Sequence, residues 1–138
     1  MNDDKAFVDT NVFVYAVDAG SPGKRVRAQS LLADLADSIV ISTQVLLEFY
    51  VTATRKLAKP LSPEDAERRV HELSGTDVVE ITAPLVRTAI ALSREHRLSL
   101  WDAMIVASAR ARGCRRLFSE DLQHGRQFGS VRVENPFR

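Results

Sequence analysis

Apolar residues in this chain follow two rhythms. Solid short runs, too brief for helices and rich in β-branched or aromatic residues, occur at 6–8, 38–42, 77–81 and 115–119, and each reads as a buried strand. Residues 130–134 alternate apolar and polar, as an edge strand would. Between these runs lie helical stretches. An apolar segment at 12–17 is followed by a loop-like stretch at 18–23, then an amphipathic helix over 24–36 with Val26, Leu31, Leu32 and Leu35 on its apolar side. Ser42 or Thr43 can cap a helix over 44–57. Ser62-Pro63-Glu64-Asp65 is a strong helix start, with Asp65 closing a capping box, and that helix stops near Gly75. Thr82 caps another, with Pro84 in its first turn, ending near Arg97. Ser99-Leu100-Trp101-Asp102 opens a helix that runs to Arg112 and stops at Gly113. Residues 120–127 read as one or two helical turns. Strands alternating with helices predict an α/β domain with a mostly parallel sheet.

Composition narrows the class. With 138 residues, 45% hydrophobic and 27% charged, the chain is expected to form one soluble domain spanning 1–138. The net charge of +1 points to no partner. A lone cysteine, Cys114, excludes an internal disulfide and a cysteine-based zinc site. The start Met1-Asn2-Asp3-Asp4 is polar and acidic, unlike a leader peptide, and no apolar run reaches the ~18–20 residues that span a membrane. A cytoplasmic protein without membrane attachment is the expectation.

The chemistry lies in the acids. Asp9 follows the first strand, where open parallel sheets bind ligands, although Asp9 or Thr10 also suits a helix cap. Glu48 interrupts the apolar stretch 45–51, where a carboxylate needs a charge partner, a metal or solvent. Asp102 stands in the first turn of an apolar helix, where it could simply complete a capping box begun by Ser99. Asp121 comes just after a strand end, where a helix dipole would also favour it. In a parallel sheet all of these positions can face one edge. Crowded carboxylates repel unless a cation sits among them, and oxygen-only ligands select hard ions such as Mg2+ or Mn2+. Metal-assisted phosphodiester hydrolysis fits that set. No Ser-His-Asp or Cys-His set and no glycine-rich phosphate loop stands out, and His71, His96 and His124 read as surface residues.

Phe7-Val8-Asp9-Thr10-Asn11, the isolated Glu48, Trp101-Asp102-Ala103 and Phe118-Ser119-Glu120-Asp121 together resemble the PIN-domain ribonucleases. The small size and the ending Asn135-Pro136-Phe137 are similar to the VapC-type toxins of type II toxin–antitoxin pairs. The resemblance implies a PIN-like three-layer α/β/α sandwich with about five strands. It also implies an Mg2+- or Mn2+-dependent endoribonuclease, an RNA substrate, a cognate antitoxin and a homodimer. Carried over, Asp9, Glu48, Asp102 and Asp121 form the acidic pocket, with Asp9 and Asp102 foremost as direct ligands. Asn11 and Ser119 match the polar positions that hold the acids. Glu120 competes with Asp121 for the fourth place, and the spacing from Ser119 selects Asp121.

RNA would need cations near such a pocket. Arg112, Arg115 and Arg116, with Arg110, are close in sequence to Asp102 and Asp121, and Arg55, Lys56 and Lys59 form a second cluster. A solvated surface is the alternative for both. Two rival functions remain at this stage. One is a phosphatase or phospho-acceptor with Asp9 as nucleophile, against which Asn11 stands where a second Asp is wanted. The other is a non-catalytic PIN-like scaffold, against which all four acids are present.

Overall fold

The computed structural model describes residues 4–138; the acidic start Met1-Asn2-Asp3 lies outside them. Strand β1 (Ala6–Val8) is buried along its whole length and ends at Asp9, which caps helix α1 (Thr10–Ala16). Helix α2 (Pro22–Leu35) begins two residues before the expected 24, because Pro22 takes the first helical turn, where its missing N–H costs nothing. A single 3-10 turn at Ala36–Ser38 leads into β2 (Ile39–Ser42). Ser42, not Thr43, caps α3 (Thr43–Arg55). Then come α4 (Pro63–Leu73), β3 (Asp77–Val79), α5 (Ala83–His96) and α6 (Leu100–Ala111), capped by Ser62, Thr82 and Ser99 around the intervening strand. Gly113, with φ at 72°, turns the chain into β4 (Arg116–Phe118).

The remainder departs from expectation. Residues 120–126 are bends and turns rather than a helix. Their backbone is drawn across to the last strand instead, with Gly125 N–H donating to Val133 O at 2.9 Å. A two-residue strand β5 (Gln127–Phe128) then pairs antiparallel with β6 (Val131–Glu134). Among the described residues the sheet therefore has six strands, in the order β3-β2-β1-β4-β6-β5. β6 is not the edge: it lies between β4 and β5, and Val131 and Val133 are buried while Arg132 is exposed. All pairings except β5 with β6 are parallel.

Helices α1 to α4 pack with one another, α5 packs on α6, and β2 is contacted by α3 from the first group and α6 from the second. That is the three-layer sandwich. One core joins the layers around Phe7, Ile41, Phe49, Ile105, Leu117 and Phe128. The chain moves outward from β1 to β2 and β3 on one side, and β4 takes the other side. The boundary between β1 and β4 is thus the switch point where such sheets open a crevice at their carboxyl ends. Among the described residues no helix is long and apolar enough to cross a membrane.

Candidate metal centre

At that switch point the chain places Asp9 at the end of β1 and Ser119-Glu120-Asp121 just beyond β4. Asp9 N–H donates to Phe118 O at 2.9 Å, which locks the two strand ends together. The Asp9 side chain is 4% exposed, and both its oxygens are held. Oδ1 accepts from Thr10 N–H at 2.7 Å, and Oδ2 accepts from the Ser119 hydroxyl at 2.7 Å. The same Ser119 oxygen accepts from Asp121 N–H at 3.1 Å, so one hydroxyl aligns two of the acids. Asp9 is both cap and pocket wall, and the two readings of it do not compete.

Glu48 is half-buried on α3, and its Oε1 accepts from the Thr10 hydroxyl at 2.7 Å. Gln44, one turn earlier, donates to Glu48 Oε2 at 3.1 Å and to Trp101 O at 3.3 Å, tying α3 to the start of α6. Thr10 and Gln44 were missed in the sequence. Their signals were the i, i+4 spacing of Gln44 to Glu48 and the adjacency of Thr10 to Asp9. Asp102 is half-buried in the first turn of α6, where its backbone N–H, not its carboxylate, makes the capping bond to Ser99 at 3.0 Å. The carboxylate is free of that duty.

Desolvation by burial pushes the Asp9 carboxyl up from 3.8 to about 7, against the two hydrogen bonds and with help from the charges of Asp121 and Glu48. Asp121 is exposed as a residue, yet partial burial of its carboxyl, followed by the charges of Asp102 and Glu120, also raises its pKa. These couplings bring all four predicted acids into one electrostatic neighbourhood. Asp9, Glu48 and Asp121 line one cavity of about 680 Å3, together with Asn11, Gln44, Tyr15, Lys56, Leu47, Val51 and Trp101. Glu120 also reaches its rim but is bound to Lys24 and Tyr15. Asn11 is close enough to Asp121 to lower its pKa, although its Nδ2 and Oδ1, like Gln44 Oε1, are buried without a well-formed hydrogen bond.

The donor set suits a hard cation: it is all oxygen, crowded and partly desolvated, and the cavity lining includes Asn11 and Gln44, whose buried amide oxygens lack a well-formed hydrogen bond. Among the described residues no three His, Cys, Asp or Glu side chains close around one point. An ion bound here would take one or two of these carboxylates directly and keep several waters.

The basic residues are placed differently. Arg112, Arg115 and Arg116 gather at the amino ends of the strands, opposite the acids. Arg112 pairs with Asp77, at the start of β3, and Arg116 with Asp4 at 3.1 Å, while Arg115 N–H bonds Lys5 O. Of the second cluster, Lys56 lines the acid cavity. His96 is not a simple surface residue: it is half-buried, edge-on to Phe128 at 5.1 Å. His71 and His124 are exposed.

A parallel α/β/α sheet with an acid pocket at its switch point defines the class. The PIN domain model matches residues 6–127, and the chain belongs to that family. Its fold is that of solved toxin–antitoxin PIN proteins. A toxin–antitoxin complex from Klebsiella pneumoniae is 22% identical with a TM-score of 0.71, over 96% of this chain and 98% of that one. VapC20 of Mycobacterium tuberculosis, described as a Sarcin-Ricin loop cleaving toxin, is 23% identical with a TM-score of 0.69, over 85% of this chain and 92% of its own. DNA-bound VapBC from Salmonella typhimurium is 20% identical with a TM-score of 0.69, over 96% and 98% of the two chains. No curated protein matches in sequence.

Proposed function

We propose that this chain is a divalent-metal-dependent endoribonuclease and the toxin of a toxin–antitoxin pair. The observation that carries the reading is the convergence of Asp9, Glu48 and Asp121 on one cavity at the switch point, with the charge of Asp102 close enough to raise the Asp121 pKa. Asp9 and Asp102 would hold Mg2+ or Mn2+, with Glu48 and Asp121 completing the charge. When bound, the ion supplies Lewis-acid stabilisation of the phosphodiester and a more acidic water. The chain's own part is orientation: Ser119 and Thr10 N–H fix Asp9, while the Thr10 hydroxyl and Gln44 fix Glu48. Asn11 stands beside Asp121 to steady it. Lys56 on the cavity wall offers a phosphate contact, which makes it a better RNA contact than Arg112, Arg115 or Arg116. Leu47 and Trp101, 68% and 64% exposed beside the acids, offer apolar surface to a second copy and to an antitoxin segment.

The test is cleavage of structured RNA by purified protein in Mg2+ or Mn2+, in EDTA, and with Asp102→Asn, alongside a small phosphate ester. RNA cleavage lost in EDTA and in the variant, with the ester untouched, is the expected result. Full activity in EDTA refutes the metal role, and ester hydrolysis favours the phosphatase. Intact wild-type RNA leaves the non-catalytic scaffold.

A further inference from the structure

Beside the cavity, Tyr15, Lys24 and Glu120 form a closed triangle. Lys24 Nζ donates to Glu120 Oε2 at 2.5 Å and to the Tyr15 hydroxyl at 3.1 Å, and that hydroxyl donates to Glu120 Oε1 at 2.7 Å. Phe137 closes the outer side. Its ring meets Tyr15 at 4.8 Å and 69°, and the Lys24 ammonium stands 4.6 Å from the Tyr15 centroid and 5.6 Å from that of Phe137. The backbone around Phe137 is held in turn: Arg27 Nη1 donates to Pro136 O and Arg138 O, each at 3.2 Å, and Asn135 N–H donates to His124 Nδ1 at 3.0 Å. Helices α1 and α2 therefore hold both oxygens of the Glu120 carboxylate, with the C-terminal residues packed behind them.

Glu120 and Asp121 are neighbouring carboxylates on an irregular loop, and both reach the cavity. The backbone bond of Asp121 to Ser119 fixes the main chain but leaves the choice of side chain open. We propose that Lys24, backed by Tyr15 and Phe137, is a positioning residue that holds Glu120 aside so that Asp121, rather than Glu120, completes the acid pocket with Asp9 and Glu48. This rests on the metal-pocket reading above. The Lys24 side chain is 42% exposed, so its ion pair contributes little to stability. Its contribution is directional, and that gives it a signature distinct from a structural one.

The experiment is Mn2+ binding to the purified chain, read from the free-ion EPR signal, with thermal unfolding in parallel and no RNA present. Wild type binds Mn2+ and Asp9→Asn loses binding. In wild type, Asp121→Asn weakens binding about tenfold, at the lower end of what displaced metal-site groups cost, and Glu120→Gln changes it less than twofold. In Lys24→Met the dependence shifts: Glu120→Gln now weakens binding severalfold and Asp121→Asn weakens it less than before, while the unfolding temperature stays near wild type. Lys24→Arg keeps the wild-type pattern and serves if the Met variant folds poorly. Equal effects of Glu120→Gln in the Lys and Met backgrounds overturn the positioning role while leaving the pocket standing. Wild type that binds no Mn2+, or Asp9→Asn that binds it normally, overturns both.

Discussion

Replacing Asp9 by Asn should favour the metal-free folded protein more at alkaline pH than at acid pH. The Asp9 carboxyl is raised from 3.8 to about 7 by burial first and by neighbouring carboxylates second. The folded chain then holds this proton more tightly than the unfolded chain does. Between those two values the folded state binds more protons, so stability falls as pH rises. With each pKa unit contributing on the order of 1 kcal/mol, the penalty is roughly 1–2 kcal/mol at pH 5 and reaches its full value, about 4 kcal/mol, above pH 7. Asn at this site keeps an oxygen for Thr10 N–H and presents an amide to the Ser119 hydroxyl, which can accept. Whatever fixed cost the swap carries, it is the same at both pH values. The quantity to measure is therefore the change in unfolding free energy on Asp9→Asn at pH 8 minus that at pH 5, from urea titrations in chelator. It should favour Asn by about 2–3 kcal/mol. Millimolar Mg2+ or Mn2+ should restore the wild type at pH 8 and do little for the variant. An Asn variant destabilised equally at pH 5 and pH 8 would falsify the buried, charge-crowded account of this carboxyl.

Two further outcomes follow from the site geometry. Because Ser99 caps α6 through the backbone of residue 102, Ser99→Ala should lose about 1 kcal/mol of stability and keep RNA cleavage, whereas Asp102→Asn should keep stability and lose cleavage; the reverse pattern in urea titrations and gel assays would make Asp102 a cap. RNA affinity plotted against salt should lose about 0.7 from its log–log slope in Lys56→Ala and nothing in Arg115→Ala, and an unchanged Lys56 slope removes that residue from the RNA path.

The parts of the fold readable from sequence were those specified locally. Ala6–Val8 followed by Asp9 announces a strand ending on a cap, and Ser62-Pro63 and Ser99 announce helix starts, because each needs only its neighbours. Residues 120–127 misled because their backbone is satisfied by β6, a partner their own composition does not name. The arginines lie away from the acids for a geometric reason. Arg112, Arg115 and Arg116 lie between Asp102 and Asp121 in sequence, but α6 has 12 residues and carries the chain about 18 Å from its start before β4 returns. The turn between them is the far end of the domain. The role of Lys24 has no local signal, because its partner Glu120 lies 96 residues away.

The bond from the Ser119 hydroxyl to Asp9 spans 110 residues, and Asp9 N–H bonds Phe118 O across nearly the same interval. β1 sits between β2, made early, and β4, made late. A nascent chain that has emerged as far as α6 already carries Asp9, Glu48 and Asp102, yet it lacks the strand that fixes Asp9 and the loop that brings Asp121. Non-local strand pairing is slow, since loop-closure entropy is spent before any contact repays it. Assembly of the pocket therefore waits on the long-range pairing of β1 with β4.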